Sequence, residues 1–258
     1  MKYLAPLGIA LCGVACGLPS PEPLTTPIVP LAQSASPGEV DSLWDAANGK
    51  FRQGKWSAAA SILERLVLEF PPGDQRLSRA RLLLGNAYLA SKSHLQAVRE
   101  FRKLSDERPG DPLAAMGLLR AGDAYASLWR RPELDPSYGE TALATYRELL
   151  NRYPDSEAAA RARIRIAQLE EKFAIKQFKS AQFYFRLKAY DSVILYLKDL
   201  VASYPRTSTA PDALALLVDA YRRVGYEEDV TETCGYMRRF HPDARQTAET
   251  CPLDQAAS

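Results

Sequence analysis

The sequence has very little of the chemistry that catalytic and metal sites need. Only two of its 258 residues are histidines, His94 and His241. Both lie at turns of a repeated helical pattern, where a scaffold role accounts for them. There is no HExxH motif, nucleophile elbow, phosphate-binding glycine loop or CxxC pair. We therefore expect no catalytic residues, no metal ligands and no cofactor, and we predict a protein that is not an enzyme.

The sequence also lacks a strong excess of one charge. Its formal net charge is +2, and Lys and Arg alternate with Asp and Glu along the chain. Without a polybasic face, nothing predicts binding to nucleic acid. The hydrophobic content of 47% is ordinary for a folded protein. Most of the charges are expected to lie on solvated helix surfaces.

Residues 1–15 form the longest apolar run, which is too short to span a membrane and has the form of a secretory signal peptide. The run ends in Gly13-Val14-Ala15-Cys16, which resembles the lipobox of bacterial lipoproteins. This resemblance implies acylation of Cys16, and Gly17 in place of Asp implies anchoring to the outer membrane. The alternative is an ordinary signal peptide followed by an incidental cysteine. Residues 16–38 are rich in proline and predict an extended tether between lipid and folded chain.

A pattern of four residues recurs five times after the tether. It consists of a small or β-branched residue, a bulky residue four positions later, Leu or Met three later, and Pro five later. The copies begin at Ala59, Ala97, Ala142, Val193 and, more loosely, Val230. Steps of four and three place side chains on one helical face, and the proline ends the helix. Each copy is therefore predicted to be the second helix of a helical hairpin.

The first helices lie upstream and carry a small or β-branched residue of their own. These residues are Ala47, Gly85, Gly122, Ala181 and Val218. The order of small and aromatic residues resembles that of tetratricopeptide repeats, which have a period of about 34 residues. We predict an all-α, right-handed solenoid of about five such hairpins, with repeats 1–3 in residues 39–155 and repeats 4–5 in residues 156–242. Unrelated amphipathic helices are the alternative.

Three segments depart from the regular repeat. Residues 127–140 insert two prolines between the helices of repeat three, so we expect a loop that projects from one end of the hairpin. Residues 155–189 contain no Pro or Gly and predict either an extended first helix in repeat four or a short additional helix. The tail 243–258 is polar and is expected to fray.

Two cysteines remain after the signal segment, Cys234 and Cys251. In an oxidising compartment they could form a disulfide that attaches the tail to repeat five. The alternative is that Cys234 is a small buried hydrophobic residue and that Cys251 is free.

The first helices of such a solenoid line a concave groove that often receives extended peptides. The position after each small residue faces this groove in the repeat type, and it holds Asn48, Asn86 and Asp123. Asn side chains can bond a peptide backbone, and Arg120 could pair with a terminal carboxylate. The further groove candidates are Trp44, Phe51, Arg52 and Leu89. The set partly resembles the carboxylate clamp of peptide-binding tetratricopeptide domains, although Trp44, Leu83 and Met116 replace polar or basic groups of that clamp. Alternatively, these residues only solvate the inner surface.

The lipobox, the proline-rich tether and the five repeats together resemble the BamD family of outer-membrane lipoproteins. The resemblance covers residues 39–242 and is most specific in 141–162 and 200–225. It implies a non-enzymatic scaffold on the periplasmic face of the outer membrane, in the machine that assembles β-barrel proteins. It further implies three kinds of partner: the periplasmic domains of a BamA-like barrel subunit, other lipoproteins of the machine, and the C-termini of unfolded outer-membrane proteins. The alternative function is that of a tetratricopeptide lipoprotein in cell division or pilus assembly.

Overall fold

The computed structural model describes residues 36–70 and 73–252, and these ranges contain eleven helices and no strand. The helices are α1 (Pro37–Arg52), α2 (Trp56–Glu69), α3 (Gln75–Ala90), α4 (His94–Glu107), α5 (Ala114–Leu128), α6 (Ser137–Arg152), α7 (Glu157–Arg186), α8 (Tyr190–Ser203), α9 (Ala210–Val224), α10 (Glu227–Phe240) and α11 (Arg245–Thr250). Each helix from α1 to α10 contacts the next one along the chain, and α7 additionally contacts α5 and α9. The fold is an all-α solenoid of five tetratricopeptide-type hairpins, from α1–α2 to α9–α10, as predicted.

The repeated pattern forms the core of the solenoid. In repeats one to four its small, bulky and leucine positions are all fully buried, for example Ala142, Tyr146 and Leu149 in α6. Repeat five follows the pattern more loosely, and there Cys234 and Met237 take the bulky and leucine positions. Burial of these periodic apolar faces is what stabilises helices of this length, because short helices are only marginally stable alone.

Two glycines allow the helices of a hairpin to approach closely. A Cβ atom at Gly85 would overlap the ring of Phe101, and one at Gly122 would overlap the ring of Tyr146. The small residue of the first helix therefore makes room for the aromatic residue of the second helix. This is the physical reason for the pairing of small and bulky positions in the sequence.

The first helix begins earlier than predicted. Residues 37 and 38 belong to α1 and not to the tether. Ser36 forms a capping box with Glu39: the Ser36 Oγ accepts from the Glu39 N–H, and the Glu39 carboxylate accepts from the Ser36 N–H. Pro37 is compatible with this start because proline is favoured in the first turn of a helix.

Residues 157–186 form one continuous helix of 30 residues, which confirms the extended first helix of repeat four. Its N-terminus is capped by Ser156, whose Oγ accepts a hydrogen bond of 3.1 Å from the Ala159 N–H. The predicted boundary between residues 155 and 156 lies within a single hydrophobic cluster, to which Leu149, Ala158 and Phe173 all belong.

The insertion in repeat three does not project from the hairpin, which corrects the prediction. Helices α5 and α6 extend into it from both sides and leave residues 129–136 as the loop. Trp129 is only 1% exposed, and its ring centroid lies 4.6 Å from that of Phe173 in α7. The extra length of α7 provides the surface against which this loop is held.

The prediction of a frayed tail is wrong for residues 243–252. Helix α11 lies within the tail and contacts α9 and α10. A disulfide joins Cys234 to Cys251, and both residues are buried. Thr247 is the only buried residue of α11, and its hydroxyl donates a hydrogen bond of 2.7 Å to the carbonyl of His241. The polar composition of the tail therefore does not prevent α11 from packing on the solenoid.

Within the described ranges, no helix has both the length and the apolar character needed to cross a bilayer. The predicted signal peptide, the acylated Cys16 and most of the tether lie outside the described residues.

Candidate functional site

The groove residues predicted in repeat one do not form a polar cluster. The Asn48 side chain donates a hydrogen bond of 2.8 Å to the carbonyl of Trp44, one turn earlier in the same helix. Trp44 and Phe51 are half-buried against the core of repeat one, and Phe51 makes an edge contact with Trp56 at 4.9 Å between centroids. Arg52 is exposed. Trp44 and Phe51 therefore serve mainly as packing residues. One N–H of the Asn48 side-chain amide already has an acceptor within the helix.

The candidates of repeats two and three, in contrast, are brought together. The Arg120 guanidinium donates two hydrogen bonds to the Asn86 side-chain oxygen, 2.7 Å from Nη2 and 3.1 Å from Nε. Its Nη1 lies 3.5 Å from the Asp123 carboxylate. Asn86 lies in α3 and Arg120 in α5, the first helices of repeats two and three. The two side chains therefore occupy neighbouring positions on successive first helices.

Asp123 holds the cluster together. Its Oδ1 accepts from the Tyr146 hydroxyl at 2.8 Å and from Arg165 Nε at 3.1 Å. Burial, followed by the negative charge of Asp123, raises the pKa of Tyr146, so that the hydroxyl stays a neutral donor. Because its two oxygens already contact Arg120, Arg165 and Tyr146, Asp123 orients the two arginines. Direct contact of Asp123 with a bound peptide stays a prediction.

Sequence reasoning missed the contribution of α7. Arg165, Gln168 and Lys172 follow one another at spacings of three and four and face α5. Together with residues of α3, α5 and α6 they line a solvent-open pocket of about 440 Å³, which we name the Arg120 pocket. It is lined by Leu89, Arg120, Asp123, Ala126, Ser127, Tyr146, Arg165, Gln168, Leu169 and Lys172. The spacing within α7 was the available signal, but alternating charges on a long helix are typical of a solvated surface.

Lys172 closes one side of the Arg120 pocket. Its ammonium group donates to the carbonyl of Trp129 and lies 4.5 Å from the centroid of the Trp129 ring. Burial lowers the pKa of Lys172, because desolvation disfavours its charged form. The lysine thus connects the pocket to the loop of residues 129–136.

The electrostatic character of the Arg120 pocket is cationic. Three basic side chains line it, Arg120, Arg165 and Lys172, against the single carboxylate of Asp123. The Asn86 amide nitrogen and Arg165 Nη2 form no hydrogen bond with the described part of the chain. Guanidinium groups with free donors bind carboxylates strongly, often through two parallel hydrogen bonds. Leu89 and Leu169 add apolar surface beside these donors. The geometry therefore fits an anionic group that carries an apolar neighbour.

Comparison with known proteins assigns the chain to a family. The family model YfiO, described as an outer membrane lipoprotein, matches residues 38–235. The chain belongs to this family. The match extends from α1 into α10 and includes the whole Arg120 pocket, whereas α11 and Cys251 lie beyond it. Family membership also means that the chain is not an enzyme.

Several curated relatives carry the name outer membrane protein assembly factor BamD. The chain is 27% identical to the protein of Vibrio cholerae over 243 residues, which are 90% of this chain and 96% of that relative. It is 24% identical to the protein of Caulobacter vibrioides over 190 residues, 74% of this chain but only 62% of that relative's length. The protein of Neisseria meningitidis serogroup A is 24% identical over 214 residues, 78% of this chain and 79% of the relative.

Two of the solved structures that the chain is similar to are described as tetratricopeptide proteins. The tetratricopeptide domain of P58(IPK) has a TM-score of 0.44 and 15% identity, over 83% of this chain and 54% of that one. The protein TTC0263 of Thermus thermophilus has a TM-score of 0.36 and 18% identity, over 83% of this chain and 100% of that one. The repeat architecture is visible in this chain's own helices and their contacts.

Proposed function

We propose that this chain is a lipid-anchored scaffold on the periplasmic face of the outer membrane, which acts in the assembly and insertion of β-barrel proteins. The observation that carries the proposal is the match of the outer membrane lipoprotein family to residues 38–235, across all five hairpins. The names of the curated relatives support the same role. A solenoid of helical hairpins suits a scaffold, because it offers extended surfaces to several partners.

Three kinds of partner belong to this proposal: the periplasmic domains of the barrel-forming subunit, other lipoproteins of the assembly machine, and the C-terminal peptides of unfolded barrel proteins. The Arg120 pocket is the proposed site for the peptide. A terminal carboxylate would bind between Arg120 and Arg165, with the last side chain against Leu89 and Leu169. The cationic lining supports an anionic ligand, and the open shape supports entry of a chain end.

Association with the barrel subunit is tested by a pull-down. The affinity-tagged full chain in mild detergent is expected to retain the periplasmic domains of the BamA-like subunit from the same cells. Peptides that end in an aromatic residue are expected to bind the full chain when the peptide C-terminus is free. The same peptides are expected to bind much more weakly when their C-terminus is amidated. Absence of both interactions would mean that a shared repeat scaffold serves another envelope process.

Arg120→Ala is expected to weaken binding of the free-acid peptide by roughly tenfold or more, since a hydrogen bond to a charged group contributes about 1.5–3 kcal/mol. Fluorescence anisotropy with a labelled peptide measures the change. Arg223→Ala, an exposed arginine in α9 whose nearest carboxylate lies 4.0 Å away, is the matched control and is expected to bind like the wild type. Equal affinities for all three proteins would place the peptide elsewhere.

The lipid anchor is proposed at Cys16. Cys16→Ser is expected to release the protein from the membrane fraction without changing its helical content, because the acyl chains and not the solenoid hold it to the bilayer. Fractionation of cell envelopes followed by detection of the protein measures this. A variant that still sediments fully with the outer membrane would show that partners, and not a lipid on Cys16, retain it.

A further inference from the structure

Three lysines of α7 hold the loop of residues 129–136. Lys172, Lys176 and Lys179 are spaced by four and three residues and therefore share one helical face. Lys172 donates to the carbonyl of Trp129, Lys176 donates to the carbonyl of Leu134 at 3.0 Å, and Lys179 pairs with the carboxylate of Glu133. This lysine row thus binds two peptide carbonyls and one acidic side chain, all of them from a single extended segment.

One end of the loop is fixed. Trp129 is buried between Lys172 and Phe173. A Cβ atom at Gly139 would overlap its indole ring, so the start of α6 is also fitted to it. Moving this end of the loop away from α7 would expose the large aromatic side chain of Trp129 to water, which costs free energy.

The other end of the loop is held weakly. The side chains of Glu133 and Lys179 are each 49% exposed, and Leu134 is 42% exposed. Exposed ion pairs contribute little to stability, because water and salt screen them and both side chains lose freedom. The segment Glu133–Leu134 can therefore leave the lysine row while Trp129 stays in place.

An aromatic surface continues beyond the lysine row. A pocket of about 300 Å³ is lined by Lys176, Lys179 and Ser180 together with three aromatic residues, Phe183, Tyr184 and Tyr196, and Glu133 enters it from the loop. The rings of Tyr184 and Tyr196 are stacked at 5.4 Å, and Phe183 is 50% exposed. Aromatic residues are enriched at protein–protein interfaces, so these exposed rings favour a protein ligand. The loop fills only the lysine side of this pocket.

We propose that Lys176, Lys179 and the aromatic residues Phe183, Tyr184 and Tyr196 form a docking site for an acidic segment of a partner protein, and that Glu133–Leu134 occupies this site within the free chain. The partner segment places a carboxylate on the two lysines and an apolar or aromatic side chain against the rings. Charge complementarity identifies this partner, since the lysine row already binds a glutamate followed by a leucine. The loop then competes with the partner and lowers the partner's apparent affinity for the site.

The test uses a fluorescent octapeptide that alternates Glu with Phe and Leu, titrated with the full chain in detergent. The peptide is amidated at its C-terminus, so that it offers no terminal carboxylate to the Arg120 pocket. Glu133→Ala is expected to bind the peptide about threefold more tightly than the wild type, because the competing carboxylate is gone. The double variant K176E/K179E is expected to bind it at least roughly tenfold more weakly, as two cations are reversed.

The matched control is K50E/K55E, which reverses two lysines of repeat one, at the end of α1 and just before α2, away from the site. It is expected to bind the peptide like the wild type, and circular dichroism is expected to give equal helical content for all variants. Equal affinities for K176E/K179E and K50E/K55E would overturn the proposal, as would the absence of binding to Glu133→Ala. If Glu133→Ala dimerises through the lysine row, the occupant is a second copy of this chain and the proposal of a partner's acidic segment is wrong.

This proposal does not depend on the proposed function. Loss of the barrel subunit in the pull-down would leave the octapeptide titration unaffected, and loss of octapeptide binding would leave the terminal carboxylate test at Arg120 unaffected.

Discussion

Leu149→Ala is expected to lower the free energy of unfolding by about 2–5 kcal/mol. Leu149 is fully buried in α6 and belongs to the cluster that also contains Trp129, Tyr146 and Phe173. Removing three carbon atoms there leaves a cavity between large, rigid rings that cannot collapse easily onto it. Denaturant unfolding of the full chain, followed by circular dichroism, measures the effect as a lower midpoint.

The matched control for this prediction is Leu68→Ala. Leu68 lies in α2 of another repeat and is 85% exposed, so its truncation is expected to change stability by no more than about 0.5 kcal/mol. The same chemical change is thus compared at a core position and at a surface position of the repeat. Equal midpoints for the two variants would contradict the helical register that places Leu149 in the core.

The hairpins could be predicted from the sequence because their cause is local and periodic. The bulky and leucine positions that Tyr146 and Leu149 occupy recur in every repeat, so one chain contains five copies of the same pattern. Gly122 could likewise be assigned to the helix contact, since a glycine at the position of Ala47 and Ala181 indicates a larger side chain opposite. The ring of Tyr146 is that side chain.

The Arg120 pocket could be predicted only in part. Asn86 and Arg120 were both predicted to line the groove from first helices, and the structure joins them. Arg165 could not be assigned, because it reaches Asp123 across 42 residues from a helix whose length interrupts the period. Asn48 was predicted as equivalent to Asn86, but it hydrogen-bonds its own helix, since repeat two has Leu83 at the position that Arg120 takes in repeat three.

The two ends of the solenoid were predicted least well, for opposite reasons. At the start, Ser36 and Glu39 form a capping box within a proline-rich stretch, and the prolines concealed the helix signal. At the end, a polar tail predicts fraying, but a covalent bond from Cys251 outweighs composition. The choice between a disulfide and a free thiol depends on whether two cysteines 17 residues apart meet in space, which the sequence alone does not determine.

Cys251→Ser is expected to lower the free energy of unfolding of the C-terminal repeat by about 3 kcal/mol, as the loop-entropy model gives for a loop of this length. In the structure Cys234 belongs to α10, and Cys251 lies directly after α11. Arg222 of α9 donates a hydrogen bond of 2.8 Å to the carbonyl of Thr250, the residue before Cys251. The disulfide therefore also helps to hold α11 on α9. Thermal unfolding of the oxidised wild type and of the variant measures the difference.

Two comparisons make this last prediction specific. The wild type in excess reductant is expected to melt like Cys251→Ser, and reductant is expected to have no effect on the variant. Hydrogen exchange is expected to increase in α9, α10 and α11 but not in α3, because the disulfide joins α10 to the segment after α11, and α11 contacts α9, whereas α3 belongs to repeat two. Identical melting of the oxidised wild type and the variant would mean that Cys234 and Cys251 are not joined in solution. The disulfide therefore covers the core of repeat five at Met237, which belongs to the same hydrophobic cluster as Cys234 and Cys251.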